Sequence, residues 1–348
     1  MLYIFVFLGE FGYELLNWQG TIRRFSKTIG TEDRIICCSR ASLQPFYETA
    51  DGYVDISNVE LYRQSVACGY YALPPEDPSL TSRVSLDFDC RLKQALQRFI
   101  LDHIRRSGDI TLPNSWWRSL LTAFQRVRFI FNSECTEIHD CRFGANRDGF
   151  GSGPAQGNIY DQLDLENNKF RRIEAPLIAR QSIENRLGWD LGKPFVLCQT
   201  RRRRITIRSE QVIPTHRLID RLSERMQVVL LSFETGRYLD SSSNFKAAEN
   251  CSLFHCSSFD EQACLIHFAK CCVFFTEGDF GSHIYLPPFL GRDVYAIAPA
   301  EIYNLGTTPI EFWNKNVFRF GGQILARTTD EVFVSEEYLT RAVNEILA

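Results

Sequence analysis

The chain has 348 residues, 45% apolar and 23% charged, with 39 Lys plus Arg against 42 Asp plus Glu for a net charge of -3. This composition excludes a dominantly disordered, collagen-like or low-complexity chain, and the slightly acidic balance points away from a generally basic nucleic-acid-binding surface while leaving room for a local basic patch. The length implies two domains or one large one, and 27 Phe with 13 Tyr can fill two cores.

Residues 2–8 form a continuous apolar run directly after Met1. No basic segment precedes it, no small-residue cleavage site follows, and Glu10 and Glu14 come at once. The run is too short to cross a bilayer, so residues 3–8 are expected to be a first strand buried on both faces. Gly9-Glu10-Phe11-Gly12 reads as a turn. A helix over 13–27 follows, with Leu15, Leu16, Ile22 and Phe25 inward and Arg23, Arg24 and Lys27 outward. Next come a strand over 34–39, a short helix over 42–49, a strand over 53–56, helices over 91–107 and 115–126, and a strand over 127–132. Such alternation predicts a mostly parallel sheet with helices on both faces.

Residues 143–162 are Gly-rich with little apolar periodicity and read as a loop, and 174–186 as a connector. A second α/β series starts at Pro194. Its expected strands are 195–200, 227–232, 252–256, 273–276 and 294–298, and its helices 216–225, 260–270 and 282–290. A last helix covers 336–347. No internal repeat is visible. The expected organisation is a domain over 1–175, a domain over 176–335 and a terminal helix over 336–348. The two Rossmann-like domains would face a central cleft. In such sheets ligands bind beyond the carboxyl ends of the strands, which singles out the loops after Leu8 and after Phe275.

The twelve Cys include no C-x-x-C pair and no zinc-like Cys/His spacing. Several sit in apolar runs, such as Ile35-Ile36-Cys37-Cys38, and are expected to be reduced thiols of a cytoplasmic protein. No metal site is expected. Asp87-Phe88-Asp89 spells a D-x-D triplet by chance, and His103 and His139 lie in no motif.

Three segments carry chemistry. Residues 271–297 read as strand, small polar loop, helix, Gly stop and strand. Gly278 and Gly281 allow close backbone approach to a ligand. The helix start presents free N–H groups to an anion, with Ser282 and His283 adding donors. The competing reading is a structural βαβ turn with Ser282 as a helix cap. In Gly9-Glu10-Phe11-Gly12-Tyr13-Glu14, Glu10 lies on a Gly-flanked loop, placed to accept a proton from a substrate hydroxyl, and Glu14 lies one turn on to orient it. Alternatively both carboxylates only complement the positive end of the helix. Gln199-Thr200-Arg201-Arg202-Arg203-Arg204 leaves the first strand of the second domain, and Arg forks bind phosphate. Here Arg201 is closest to the strand end, and a solvated charge run is the alternative. Ser232 ends the next strand. Ser257 and Phe259 flank Ser258, which with Glu261 also spells a capping box. Glu301 lies just past the strand ending at Ala298.

Residues 271–297 resemble the diphosphate-binding segment in the C-terminal domain of GT-B glycosyltransferases such as the lipopolysaccharide heptosyltransferases. Residues 8–19 resemble the N-terminal strand, Leu-Gly-acid, helix entry of that family, where the acid activates the acceptor hydroxyl. The resemblance implies an α/β, GT-B-like chain that moves a sugar from a nucleotide-diphosphate donor to a glycan or lipid-linked acceptor. Transfer would be inverting and metal-independent, with no cofactor beyond the nucleotide-sugar co-substrate. Glu10 and Glu14 would be catalytic, and Gly9, Phe11 and Gly12 would form the acceptor loop. Arg201, Gly278, Gly281, Ser282 and His283 would hold the diphosphate. Ser232, Ser257, Phe259, Glu277, Asp279 and Glu301 would face the nucleoside or sugar. Neither nucleic acid nor more than peripheral membrane contact is expected. A nucleotide-sugar epimerase and a non-catalytic nucleotide- or sugar-binding protein are the competing readings.

Overall fold

The computed structural model describes residues 1–8, 11, 14–67, 86–107, 127–132, 172–201, 213–233, 250–276, 282–300, 314 and 322–348. The helix expected over 115–126 and the loop over 143–162 lie outside these residues. The chain divides into two compact units, Met1–Lys169 and Phe170–Ala348. No described helix is long and apolar enough to cross a membrane.

The first unit carries β1 (Leu2–Val6), β2 (Arg34–Ser39), β3 (Gly52–Asp55) and β4 (Val127–Phe131), all parallel, in the order β3-β2-β1-β4. Alternation along β1 divides the core. Leu2, Ile4, Val6 and Leu8 join Ile36, Cys38 and Val54 on one face, under the long helix α3 (Leu86–Ser107). That helix contributes Leu92, Leu96, Ile100 and Ile104, all buried at a spacing of four. Burying four such side chains stabilises the unit by an upper estimate of about 6–12 kcal/mol. On the opposite face, the rings of Tyr3 and Phe5 meet Phe25 edge-on at 4.9 and 5.1 Å, and Phe5 meets Trp18 at 5.7 Å.

Phe25 and Trp18 belong to α1, which differs from the regular helix expected over 13–27. It opens with a π-helical turn, Glu14–Trp18, before the α-helical part Gln19–Phe25. Arg23 was expected on the solvent side. It is buried, donates to Gln19 Oε1 at 3.1 Å and pairs with Glu48 at 3.4 Å. The short helix expected over 42–49 is a 3₁₀ turn, Gln44–Phe46, and a further helix, α2 (Glu60–Ala67), follows β3.

Among its described residues the second unit has six parallel strands: β5 (Phe195–Arg201), β6 (Gln227–Phe233), β7 (Cys251–Cys256), β8 (Cys271–Thr276), β9 (Val294–Ala298) and β10 (Ile324–Thr328). Their order is β10-β9-β8-β5-β6-β7. Counted from β5, this is the 3-2-1-4-5-6 order of a doubly wound dinucleotide-binding sheet. The residues expected to be a connector form α4 (Arg180–Leu187) instead, anchored by the buried Ile183 and ended by Gly188 at φ 75°. The remaining helices are α5 (Thr215–Ser223), α6 (Phe259–Phe268), α7 (Ser282–Phe289), α8 (Thr329–Phe333) and α9 (Glu336–Leu347).

Val196, Cys198, Val273, Phe275 and Ile297 share one core with Leu218, Ile219 and Leu222 of α5 and Leu339, Val343 and Ile346 of α9. The terminal helix is therefore part of this unit's core, and Ser335 caps it by accepting from the Tyr338 N–H at 3.3 Å. The buried residues of α6 and α7 lie outside that cluster and cover the other face. Two prolines, Pro287 and Pro288, lie inside α7, which turns off at Gly291 with φ 73°. Each described cysteine is a free thiol, and all but Cys90 are buried.

Candidate functional site

Each sheet has a switch point, where the first strand made lies between a strand that continues the order one way and one that continues it the other way. In the first unit this is the β1/β4 boundary, and the chain leaves β1 toward Gly9, Glu10 and Gly12, which lie outside the described residues. The strand end itself is held by Asn132, the residue after β4. Its side-chain Oδ1 accepts from the Leu8 N–H at 2.7 Å and its Nδ2 donates to the Leu8 carbonyl at 3.0 Å. The carboxamide thus adds one rung beyond the β1–β4 register, which ends at Val6↔Phe131. Phe11 is partly buried and meets Phe46 edge-on at 5.7 Å.

Beyond that loop the chain enters the π-turn with Glu14, whose side chain is fully buried. A π-turn is a costly local geometry that recurs at functional sites. Here the Gln19 side-chain amide supports it, donating to the Leu15 carbonyl at 2.6 Å. Glu14 Oε1 accepts from the Tyr47 hydroxyl. Its Oε2 has no partner of full hydrogen-bond geometry, although the Ser39 hydroxyl is near enough to favour the charged form. Burial pushes the Glu14 carboxyl above its ordinary value, and the neighbouring Arg40 guanidinium, Ser39 and Tyr47 oppose that rise. Tyr47 and Tyr62 are pushed up by the same burial, and the Tyr53 hydroxyl donates to the Arg40 carbonyl. Ser39 ends β2 and Asp55 ends β3, so the polar cluster sits along the carboxyl edge of the sheet.

In the second unit the switch point is the β5/β8 boundary. Arg201 and Thr276, the last residues of the two strands, are registered side by side. Ser282 and His283 begin α7, and Gly278, Gly281, Glu277 and Asp279 of the intervening loop lie outside the described residues, as does Glu301. Ser232 is in β6, opposite His255 of β7. Ser257 follows β7 and directs both its N–H, at 2.8 Å, and its hydroxyl, at 3.0 Å, to Glu261 Oε2. Ser258 caps α6, and Phe259 is its first residue. Glu261 Oε1 in turn accepts from Arg186 Nη1 at 2.7 Å, and Arg186 also stacks on Phe254.

Sequence reasoning passed over Asn132, Tyr47 and Gln199. Gln199 lies in β5 two residues before Arg201, is 8% exposed, and its Oε1 is buried without a hydrogen-bond partner. A Gln directly after the apolar run Phe195–Cys198 of the strand was the available signal. Among the described residues, no group of three or more His, Cys, Asp or Glu is placed to hold a metal ion.

No protein-family model matches the chain, and no curated protein matches it in sequence. Among solved structures it is similar to ADP-heptose lipopolysaccharide heptosyltransferase II of E. coli, at 12% identity and TM-score 0.48 over all of both chains. It is also similar to a family 9 glycosyl transferase of Veillonella parvula, at 10% identity and TM-score 0.43 over 100% of this chain and 90% of that one. A third is the UDP-GlcNAc 2-epimerase of Methanocaldococcus jannaschii, at 11% identity and TM-score 0.44 over 100% and 93%.

Proposed function

We propose that this two-unit α/β chain is a glycosyltransferase of the GT-B kind, taking a nucleotide-diphosphate sugar on its second unit and a glycan or lipid-linked acceptor on its first. The observation that carries the reading is the switch point of the six-stranded sheet. Arg201 and Thr276 end adjacent parallel strands there, and only five residues, two of them Gly, separate Thr276 from the start of α7 in the sequence. Doubly wound sheets take phosphorylated ligands at this crevice. The sequence over 271–297 also resembles the diphosphate-binding segment of GT-B glycosyltransferases. The Arg201 guanidinium and the first N–H groups of α7 would meet the charge that develops on the departing nucleotide, which is the electrostatic task a metal performs elsewhere.

On the acceptor side, Glu10 takes the hydroxyl proton. Glu14 is buried under Tyr47 and serves the loop residues from below by orienting Glu10. Gly9, Phe11 and Gly12 shape that loop, while Gly278, Gly281, Ser282 and His283 hold the diphosphate with Arg201. Glu277, Asp279, Glu301, Ser232, Ser257 and Phe259 are assigned to the nucleoside and sugar. The protein works in the cytoplasm.

A melting-temperature screen against UDP, GDP, dTDP, ADP and CMP tests the reading. A nucleotide at 100 times its dissociation constant stabilises by about 2.7 kcal/mol. Arg201→Ala is expected to weaken the best nucleotide by about ten- to a hundred-fold. Glu10→Gln is expected to keep nucleotide binding and lose about 10²–10⁴ in transfer rate. No shift with any nucleotide refutes the proposal. Turnover of donor without an acceptor would identify an epimerase, and binding without any turnover a non-catalytic nucleotide binder.

A further inference from the structure

The Gln199 side chain is an unmet polar group at the switch point of the second unit. It lies on the central strand β5, registered with Leu231 on one side and Phe274 on the other, and only Thr200 and Arg201 separate it from the strand's carboxyl end. Alternation along β5 puts Val196 and Cys198 into the core beneath α5 and α9. Gln199 therefore projects with Phe195 and Leu197 to the opposite face, the one covered by α6 and α7. Phe195 and Leu197 are fully buried on that face, and Phe195 packs edge-on against Trp189 at 5.4 Å. Among these apolar neighbours the carboxamide Oε1 is shut off from solvent and has no hydrogen-bond partner. A buried amide oxygen without a partner is a free-energy cost that a core normally removes by substitution or by pairing. At this position, where doubly wound sheets meet their ligands, a ligand is the partner that would meet the cost.

The chemistry of the atom selects the ligand group. Oε1 is an acceptor only, so it repels a phosphate oxygen and requires an O–H or N–H donor. A hydroxyl is the best match, since it can donate to Oε1 while accepting from Nε2. We propose that Gln199 is a specificity-determining residue that binds a hydroxyl of the ribose or sugar adjoining the diphosphate. This rests on the nucleotide-sugar reading above. It assigns Gln199 a neutral, hydroxyl-reading role distinct from the anion-binding role of Arg201.

The test replaces the amide by an apolar group of similar length, Gln199→Met, with Gln199→Leu as a second shape. Both are assayed in the full-length chain. The free protein is expected to melt higher than wild type, because a buried unmet polar group has been removed. The tightest-binding nucleotide of the screen, and its glucose conjugate, are expected to bind about tenfold more weakly by calorimetry, the worth of one hydrogen bond made in a buried site. Inorganic pyrophosphate, which offers no hydroxyl, should bind both variants as it binds wild type. If both variants melt lower than wild type, Gln199 already has a structural role and the proposal falls. Equal weakening of pyrophosphate and nucleotide would make the effect a general disturbance, and unchanged nucleotide affinity would remove Gln199 from the site; either overturns the proposal while leaving the nucleotide-sugar reading intact. Absence of any nucleotide binding to wild type overturns both.

Discussion

Asn132→Ala should unfasten the end of β1. The wild-type carboxamide holds the Leu8 N–H at 2.7 Å and the Leu8 carbonyl at 3.0 Å, with Leu8 fully buried and Asn132 2% exposed. The alanine leaves both backbone groups of Leu8 in an apolar setting with no partner and no access to water. Each such group costs roughly 1–3 kcal/mol, so the variant should lose about 2–6 kcal/mol. Hydrogen exchange reads this directly. Leu8 protection should fall by about thirty-fold at the low end of that range, with less change at Ile4 in the middle of the strand. Asn132→Asp provides the internal control. It retains an acceptor for the Leu8 N–H but sets a second oxygen against the Leu8 carbonyl. Its carboxyl pKa should be raised, so stability is present at acid pH, where the protonated oxygen can donate, and is lost as pH rises. If Leu8 exchange and the urea midpoint of the first unit are unchanged in Asn132→Ala, the amide is not the clamp. The start of the 9–13 loop must then be fixed by other contacts.

Three further substitutions test a buried carboxyl and two glycines. Burial raises the Glu14 carboxyl above its ordinary 4.5, so the folded state binds that proton more tightly than the unfolded one. Stability from Glu14 is therefore fully present below the unfolded value and is lost as pH rises through the folded one. Glu14→Gln, which can still accept from Tyr47, should flatten that decline and overtake wild type in urea midpoints as pH rises; parallel curves would show that Glu14 titrates normally. Gly322→Ala would put a Cβ 2.6 Å from Pro288 Cα and 2.7 Å from the Arg292 carbonyl, both backbone atoms that cannot swing aside. A loss of about 3 kcal/mol is expected. At Gly188, where φ is 75° and nothing lies within 4 Å, alanine should cost only about 1–2 kcal/mol of backbone strain. Denaturation midpoints that reverse this order would refute the reading.

Most strands were legible because each carries a run of consecutive apolar residues. Cys271–Thr276 and Val294–Ala298 are buried at every position, and both were expected within two residues of their bounds. Strand β10 was missed because its one buried side chain, Ile324, leaves no apolar run to see. Helix α2 was missed because Glu60, Arg63 and Gln64 mask its short apolar side. Hydrophobic spacing cannot separate a π-turn from an α-turn over five residues, so the irregular start of α1 was unreadable. The environment of Glu14 was equally hidden, since Tyr47 reaches it from 33 residues away and Ser39 from another strand. Arg23 looked like a solvent-side cation because Gln19 and Glu48, which bury it, could not be placed from the sequence. The two switch-point loops were identifiable from the strand–loop–helix pattern alone, whereas the amides beside them, Asn132 and Gln199, were not. Their meaning depends on which strands become neighbours.

The core of the second unit joins Val196, on its first strand, to Ile346, near the close of α9. This sets a timetable for synthesis. At translation rates of about 5–20 residues per second, the stretch between them takes roughly 8–30 s to emerge. During that interval the nascent sheet displays Val196, Val273, Phe275 and Ile297 with part of their cover still unmade. The first unit, whose described strands are all out once Phe131 has emerged, can fold while the rest is still being translated. The growing polypeptide therefore carries one finished half and one sticky half, and the sticky half is where a chaperone bound to the ribosome would be needed.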